Sequence, residues 1–203
     1  MSSTEARPKQ RRRADAERSI VRIVAAARSC LGRDPDATID DIAKAAGVGR
    51  MTLYGHFPNR AELVEAALAD AMRAGDETLS AVDLGGDARE ALTRLLGSSW
   101  SLVAESAALL QAAQGVLPAG RLRTLHAAPA ERMAQLVRRG QDDGVFRTDL
   151  PVTWLVSAVH YLLNGAAEEQ RAGRLDPADA AGVVTATVRS VLVPPAPGAA
   201  ASS

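Results

Sequence analysis

From Asp15 to Leu192 the apolar residues return at intervals of three and four, and no segment of useful length alternates apolar with polar residues. A period of 3.6 buries one face of a helix, whereas a half-buried strand needs a period of two, so the pattern restricts the chain to an all-α fold. Ile20, Ile23, Val24, Ala27 and Leu31 mark a first helix from about Asp15 to Leu31, ended at Gly32. A short second helix starts at Thr38, whose hydroxyl can cap the amide of Asp41 while the Asp41 carboxylate reaches back, and it ends at Gly47. Arg50 to Phe57 reads as a third short helix closed by Pro58. Asn59 and Glu62 then form a capping pair that opens a long helix through about Ala74. Further helices are expected near Asp87–Glu105, Ser106–Gly115, Pro118–His126, Pro129–Asp143, Pro151–Ala172 and Pro177–Leu192.

Charge divides the chain although its formal total is zero. Residues 1–60 carry 12 Lys and Arg against 7 Asp and Glu, and the remaining residues 12 against 17. A basic N-terminal module on an acidic body suits a polyanionic partner at the N-terminal end. Residues 1–13, with Pro8, Lys9, Arg11, Arg12 and Arg13, lack apolar periodicity and read as a flexible basic arm. Residues 194–203, rich in Pro, Ala and Ser, read as a disordered tail. Cys30 is the single cysteine, which excludes an intrachain disulfide framework and fits a reducing compartment. Nothing at the start of the chain resembles a signal peptide and no apolar run is long enough to span a bilayer, so a cytoplasmic protein without membrane contact is expected.

Residues 38–57 meet the requirements of a helix-turn-helix. Ala43 and Ala46 are small enough for two helices to cross closely, Gly47 can take the left-handed turn conformation and Val48 plugs the angle. Ile39, Ile42, Leu53 and Phe57 supply the inward face. The outward set of the third helix is Arg50, Met51, Thr52, Tyr54 and His56, on a helix short enough to enter a major groove. Lys44 and Arg60 can add phosphate contacts, and Thr38 completes the expected DNA-facing set.

This segment resembles the TetR family, whose signature reads I-A-x-x-A-G-V-x-x-x-T-L-Y-x-H-F-x-x-K-x-x-L. The chain matches it at Ile42, Ala43, Ala46, Gly47, Val48, Thr52, Leu53, Tyr54, His56, Phe57 and Leu63. The resemblance covers roughly residues 15–65 and implies that Thr52, Tyr54 and His56 contact phosphates while Arg50 and Met51 face bases. Three positions depart from it. Arg60 replaces the usual Lys, Gly49 stands where a Ser-type cap is usual, and Gly55 stands where a larger residue is common. Gly inside a helix costs about 1 kcal/mol, so both glycines loosen the third helix.

The same resemblance implies a domain order: residues 14–60 for DNA binding and 61–193 as a helical effector-binding and dimerisation domain. It further implies a homodimeric transcriptional repressor released from a palindromic operator in double-stranded DNA by a small-molecule effector. The final two long helices would pair with their mates through Trp154, Leu155, Ala158, Leu162 and Gly165, then Val183, Val184, Thr187 and Val191. Six aromatics and no dense charged cluster in the middle helices favour a mainly apolar effector. Expected lining residues are Trp100, Gln111, Met133, Phe146, His160, Tyr161 and Asn164, of which Trp100, His160 and Asn164 are preferred. An enzyme is the competing class, and HExxH, CxxC, GxSxG and a Gly-rich phosphate loop are all absent from the sequence. No catalytic residue, metal site or cofactor is therefore expected.

Overall fold

The structure, a computed structural model, describes residues 6–194. Among the described residues there are nine helices and no strand: α1 Ala6–Arg33, α2 Ile39–Ala46, α3 Arg50–His56, α4 Arg60–Ser80, α5 Ala88–Gln114, α6 Ala119–Leu125, α7 Ala127–Asp142, α8 Val152–Arg171 and α9 Pro177–Leu192. The all-α expectation holds. The start of the chain differs from expectation, because α1 begins at Ala6 and takes in most of the segment read as a flexible arm. Ala, Gln, Lys and Arg are strong helix formers and Pro8 falls in the first turn, where no amide is needed. Arg13 pairs with Glu17 four residues on at 3.0 Å, which offsets part of the basic run. Residues 1–5, and all of the expected tail except Pro194, lie outside the described residues.

Two further boundaries moved. The helices expected at Asp87–Glu105 and Ser106–Gly115 are the single α5, since Ser106 resembles a cap but no Pro or Gly near it breaks the ladder. The helix expected to end near Ala74 runs on to Ser80. A Cβ on Gly75 would sit 3.7 Å from Leu102 Cδ1, so the glycine lies against α5 and α4 continues through it.

The residues form two compact units. The first comprises the described residues up to Arg73 together with Ala108–Leu125, and the second Ala74–Ala107 with the residues from His126 onward. α4 and α5 each contribute residues to both units. In the first unit, Ile23, Ala27 and Leu31 of α1 are buried with Ile42, Leu53, Leu63, Val64, Ala67 and Leu68. Leu109, Ala112, Ala113 and Leu117, distant in sequence, complete that core. Arg28 pairs with Asp70 at 3.4 Å and Arg121 with Glu65 at 2.6 Å across its surface.

In the second unit, Leu92, Leu95 and Leu96 of α5 are buried with Leu136 and Val137 of α7, Leu155, Val156, Val159 and Leu163 of α8, and Val184, Val188 and Leu192 of α9. Gly140 admits the Phe146 ring against the backbone of α7: a Cβ there would lie 2.0 Å from the ring. Its carbonyl also accepts the amides of Val145 and Phe146 at 2.8 and 2.9 Å, closing the turn after the helix.

Candidate nucleic-acid interface

The turn between α2 and α3 is built as its residues require. Gly47 has φ 64° and ψ 36°, the left-handed conformation that costs a glycine nothing, and the amide of Val48 returns to the carbonyl of Ala43 at 3.0 Å. Ala43 and Ala46 are buried where α2 meets its neighbours, and Val48 packs half-buried against the first core. At the other end of α2, Thr38 forms the full capping box: the amide of Asp41 donates to its hydroxyl at 3.2 Å, and its own amide donates to the Asp41 carboxylate at 3.0 Å. The Thr38 hydroxyl also donates to that carboxylate at 2.6 Å. These bonds, the hydroxyl foremost, hold the Asp41 carboxyl below its ordinary range.

Leu53 is the buried residue of α3 and Phe57 closes the helix into the same core, so the remaining face points outward. Met51 is 81% exposed, Arg50 and Thr52 are exposed, and Tyr54 and His56 are half-buried beside them. Of the five expected contact residues on this seven-residue helix, three are thus exposed and two half-buried. Lys44 is exposed on α2. Gly49 caps α3 with extended backbone and no side-chain bond, as expected of a missing Ser. No atom other than the helix's own lies within 4 Å of a Cβ built on Gly55, so packing does not explain that glycine.

Arg60 has partners within the chain. Its Nη1 donates to the carbonyl of Ala37 at 2.6 Å and its Nη2 to that of Pro35 at 2.8 Å, tying the start of α4 to the loop between α1 and α2. A guanidinium fork reaches two carbonyls at once where an ammonium reaches one, which gives physical content to Arg in place of Lys. Thr38 likewise spends its hydroxyl on the cap. Sequence reasoning also missed Asp40, whose carboxylate accepts Arg50 Nη1 at 2.8 and 2.6 Å. Arg50 stands 5.5 Å from the Tyr54 ring centroid as well. No spacing rule links residues ten apart across a turn, so this pairing carries no signal in the sequence.

The residues expected to line an effector site separate into groups. Trp100, Met133 and Phe146 are buried in the second core, and His160 and Asn164 are half-buried on α8 in the same unit. His160 meets His126 edge to face with ring centroids 6.4 Å apart. Burial, and secondarily the charge of His126, push the His160 imidazole below its usual range. Gln111 is exposed and belongs to the first unit, and Tyr161 is 72% exposed on α8. Tyr161 follows the half-buried His160 by one residue and so lies about 100° around the helix from it.

Residues 23–67 match the sequence model of a family described as bacterial regulatory proteins, tetR family. The N-terminal domain is thus similar to those of tetR-family regulators. The match begins in α1, spans the helix-turn-helix and ends in α4 at Ala67, a residue of the first core. No curated protein matches the chain. Solved structures of TetR-like regulators share its fold over most of their length. The regulator LfrR from Mycobacterium smegmatis, solved with proflavine, superposes with a TM-score of 0.69 at 22% identity, covering 87% of this chain and 97% of that one. FadR from Bacillus subtilis, solved with stearoyl-CoA, gives 0.69 at 17% identity over 85% and 98%. FadR from Bacillus halodurans, a fatty acid degradation regulator, gives 0.67 at 19% identity over 84% and 98%.

The stretch that matches the family model includes α3, with Thr52, Tyr54 and His56 on it. Among the described residues no group of three His, Cys, Asp or Glu is placed to hold a metal ion, and no helix is long and apolar enough to cross a membrane.

Proposed function

We propose that this chain is a DNA-binding transcription regulator of the TetR family, a homodimeric repressor that reads a palindromic operator with α3 and leaves it when a small molecule binds the second unit. The observation that carries the reading is the outward face of α3: Arg50, Met51, Thr52, Tyr54 and His56 lie together on a short helix whose other side is anchored by Leu53 and Phe57. Thr52, Tyr54 and His56 provide phosphate donors, Arg50 and Met51 meet base edges, and Lys44 adds a phosphate contact from α2. Thr38 and Arg60 hold this apparatus in place rather than touch DNA.

Support for the dimer comes from α8 and α9. Leu155 and Val184, expected at a subunit contact, are buried within the chain. The outward faces are instead Trp154 (56% exposed), Tyr161 and Gly165 on α8, with Ala158 half-buried between them, and Val183, Ala186 and Thr187 on α9. Residues 154, 158, 161 and 165 follow the spacing of one helical face, and an exposed Trp and Tyr among small residues suits an isologous helix pair. A twofold dimer is also what two operator half-sites require.

Support for an effector comes from the buried Trp100, Met133 and Phe146 and the half-buried His160 of the second unit, and from LfrR having been solved with proflavine and FadR with stearoyl-CoA. α4 contributes residues to both units, and the proposed release acts through that shared helix. A pool of randomised duplexes is incubated with the protein, the bound fraction is sequenced, and the enriched duplex is titrated by fluorescence anisotropy. The enriched sequence should be an inverted repeat, and Tyr54→Phe should weaken binding to all sequences alike. Absence of any enriched sequence, or unaltered affinity in Tyr54→Phe and Arg50→Ala together, would remove α3 as the reader.

A further inference from the structure

The α2–α3 pair contains an ion pair that the DNA-reading role of α3 does not require. Arg50 is the first residue of α3 and Asp40 lies in the first turn of α2. Both Asp40 oxygens accept from the same nitrogen, Nη1, at 2.8 and 2.6 Å. The guanidinium carbon also stands 5.5 Å from the centroid of the Tyr54 ring, one helical turn on. Arg50 and Asp40 are each more than half exposed, and an exposed ion pair contributes little to stability. Its consequence lies in where it leaves the arginine. A long side chain at the exposed start of a recognition helix samples many rotamers, and it loses that freedom when it docks on a base. Held by a carboxylate at one nitrogen and by an aromatic face four residues away, the Arg50 fork is ordered before DNA arrives.

We propose that Asp40 is a specificity-determining residue: by holding Nη1 it presents the Nε and Nη2 edge of Arg50 as a preset fork for the O6 and N7 acceptors of a guanine in each half-site. This rests on the reading of α3 as the DNA reader. Two parallel N–H donors match those two acceptors, and no other base offers the same pair in the major groove. Asp40 also cancels the charge of Arg50. The pair therefore adds nothing to sequence-independent attraction for phosphates, so all that Arg50 contributes is spent on the base. A purely structural ion pair would cancel the charge as well, but would leave the preference for guanine unchanged when Asp40 is removed.

These two effects have opposite signs, which makes the proposal testable with Asp40→Ala and Asp40→Asn, helical content being checked by circular dichroism. Wild type, both variants, Arg50→Ala and the double variant Asp40→Ala/Arg50→Ala are each presented with the randomised duplex pool. Preference for guanine at one position per half-site should fall about tenfold in Asp40→Ala and less in Asp40→Asn, which keeps an acceptor oxygen. Affinity for a non-cognate duplex should rise in Asp40→Ala, with a steeper salt dependence, because one net positive charge is released. The double variant should discriminate no worse than Arg50→Ala. Discrimination by Asp40→Ala equal to wild type, or a double variant that loses discrimination beyond Arg50→Ala, overturns the proposal while leaving α3 as the reader. A wild-type protein that enriches no sequence removes the reader and this inference together.

Discussion

Arg60→Met removes the guanidinium while keeping most of the aliphatic stem, so the change isolates two hydrogen bonds. Nη1 and Nη2 donate to the carbonyls of Ala37 and Pro35 at 2.6 and 2.8 Å, from a half-buried position at the start of α4. A hydrogen bond from a charged group is worth about 1.5–3 kcal/mol when shielded, and partial exposure with rehydration of the freed carbonyls brings the two together to about 2 kcal/mol. With a urea m value of about 2 kcal/mol/M, the unfolding midpoint should fall by about 1 M at unchanged m. Arg60→Lys keeps the charge but reaches one carbonyl at a time, so it should lose about half as much stability. A phosphate contact makes a different pattern: the slope of log affinity for operator against log salt would drop by about one in Arg60→Met and be restored in Arg60→Lys. Chemical unfolding and anisotropy titrations on the same three proteins separate the two. Wild-type stability in Arg60→Met, together with a reduced salt slope, would refute the clasp and return Arg60 to the DNA-contacting set.

Three other outcomes follow from the geometry. Gly140→Ala places a Cβ 2.0 Å from the packed Phe146 ring, and overpacking of about 1–3 kcal/mol outweighs the gain in helix propensity; a thermal melt should show a lower midpoint, and Gly140→Ala/Phe146→Leu should recover part of it. The Asp41 carboxyl is held below its unfolded value of 3.8, so its contribution to folding is complete above about pH 3.8 and is lost as pH falls through the lowered value; Asp41→Asn should flatten the acid limb of a stability profile, and an unchanged limb would deny the capping box a role. Tyr161→Glu on the exposed face of α8 should yield monomers in sedimentation velocity, whereas Val184→Glu, in the second core, should unfold the protein; a dimeric Tyr161→Glu would move the subunit contact elsewhere.

Local chemistry determined a large part of this protein from the sequence alone. The capping box at Thr38, the left-handed turn at Gly47, the capping pair of Asn59 and Glu62 and the inward Leu53 and Phe57 each depend on residues a few positions apart. Side-chain spacing therefore encoded them directly, and with them the helix-turn-helix and its outward face. The helical character of residues 6–13 was legible in propensity but masked by the charge run, which resembles a solvated arm.

Tertiary structure decided what depends on partners far away in sequence. Leu109, Ala112, Ala113 and Leu117 complete the first core although they lie some forty residues beyond its other members, and this sets the limits of the unit. The direction of each α8 and α9 residue was decided the same way, with Leu155 and Val184 turned to the core and Trp154, Tyr161 and Val183 away from it. A helical stripe defines which residues share a face, but which of two apolar faces turns inward depends on the neighbour that covers it. Arg50 and Arg60 make the same point for charged groups. A guanidinium can donate to phosphate, carboxylate or carbonyl alike, and the fold supplied the carboxylate of Asp40 for one and the carbonyls of Pro35 and Ala37 for the other.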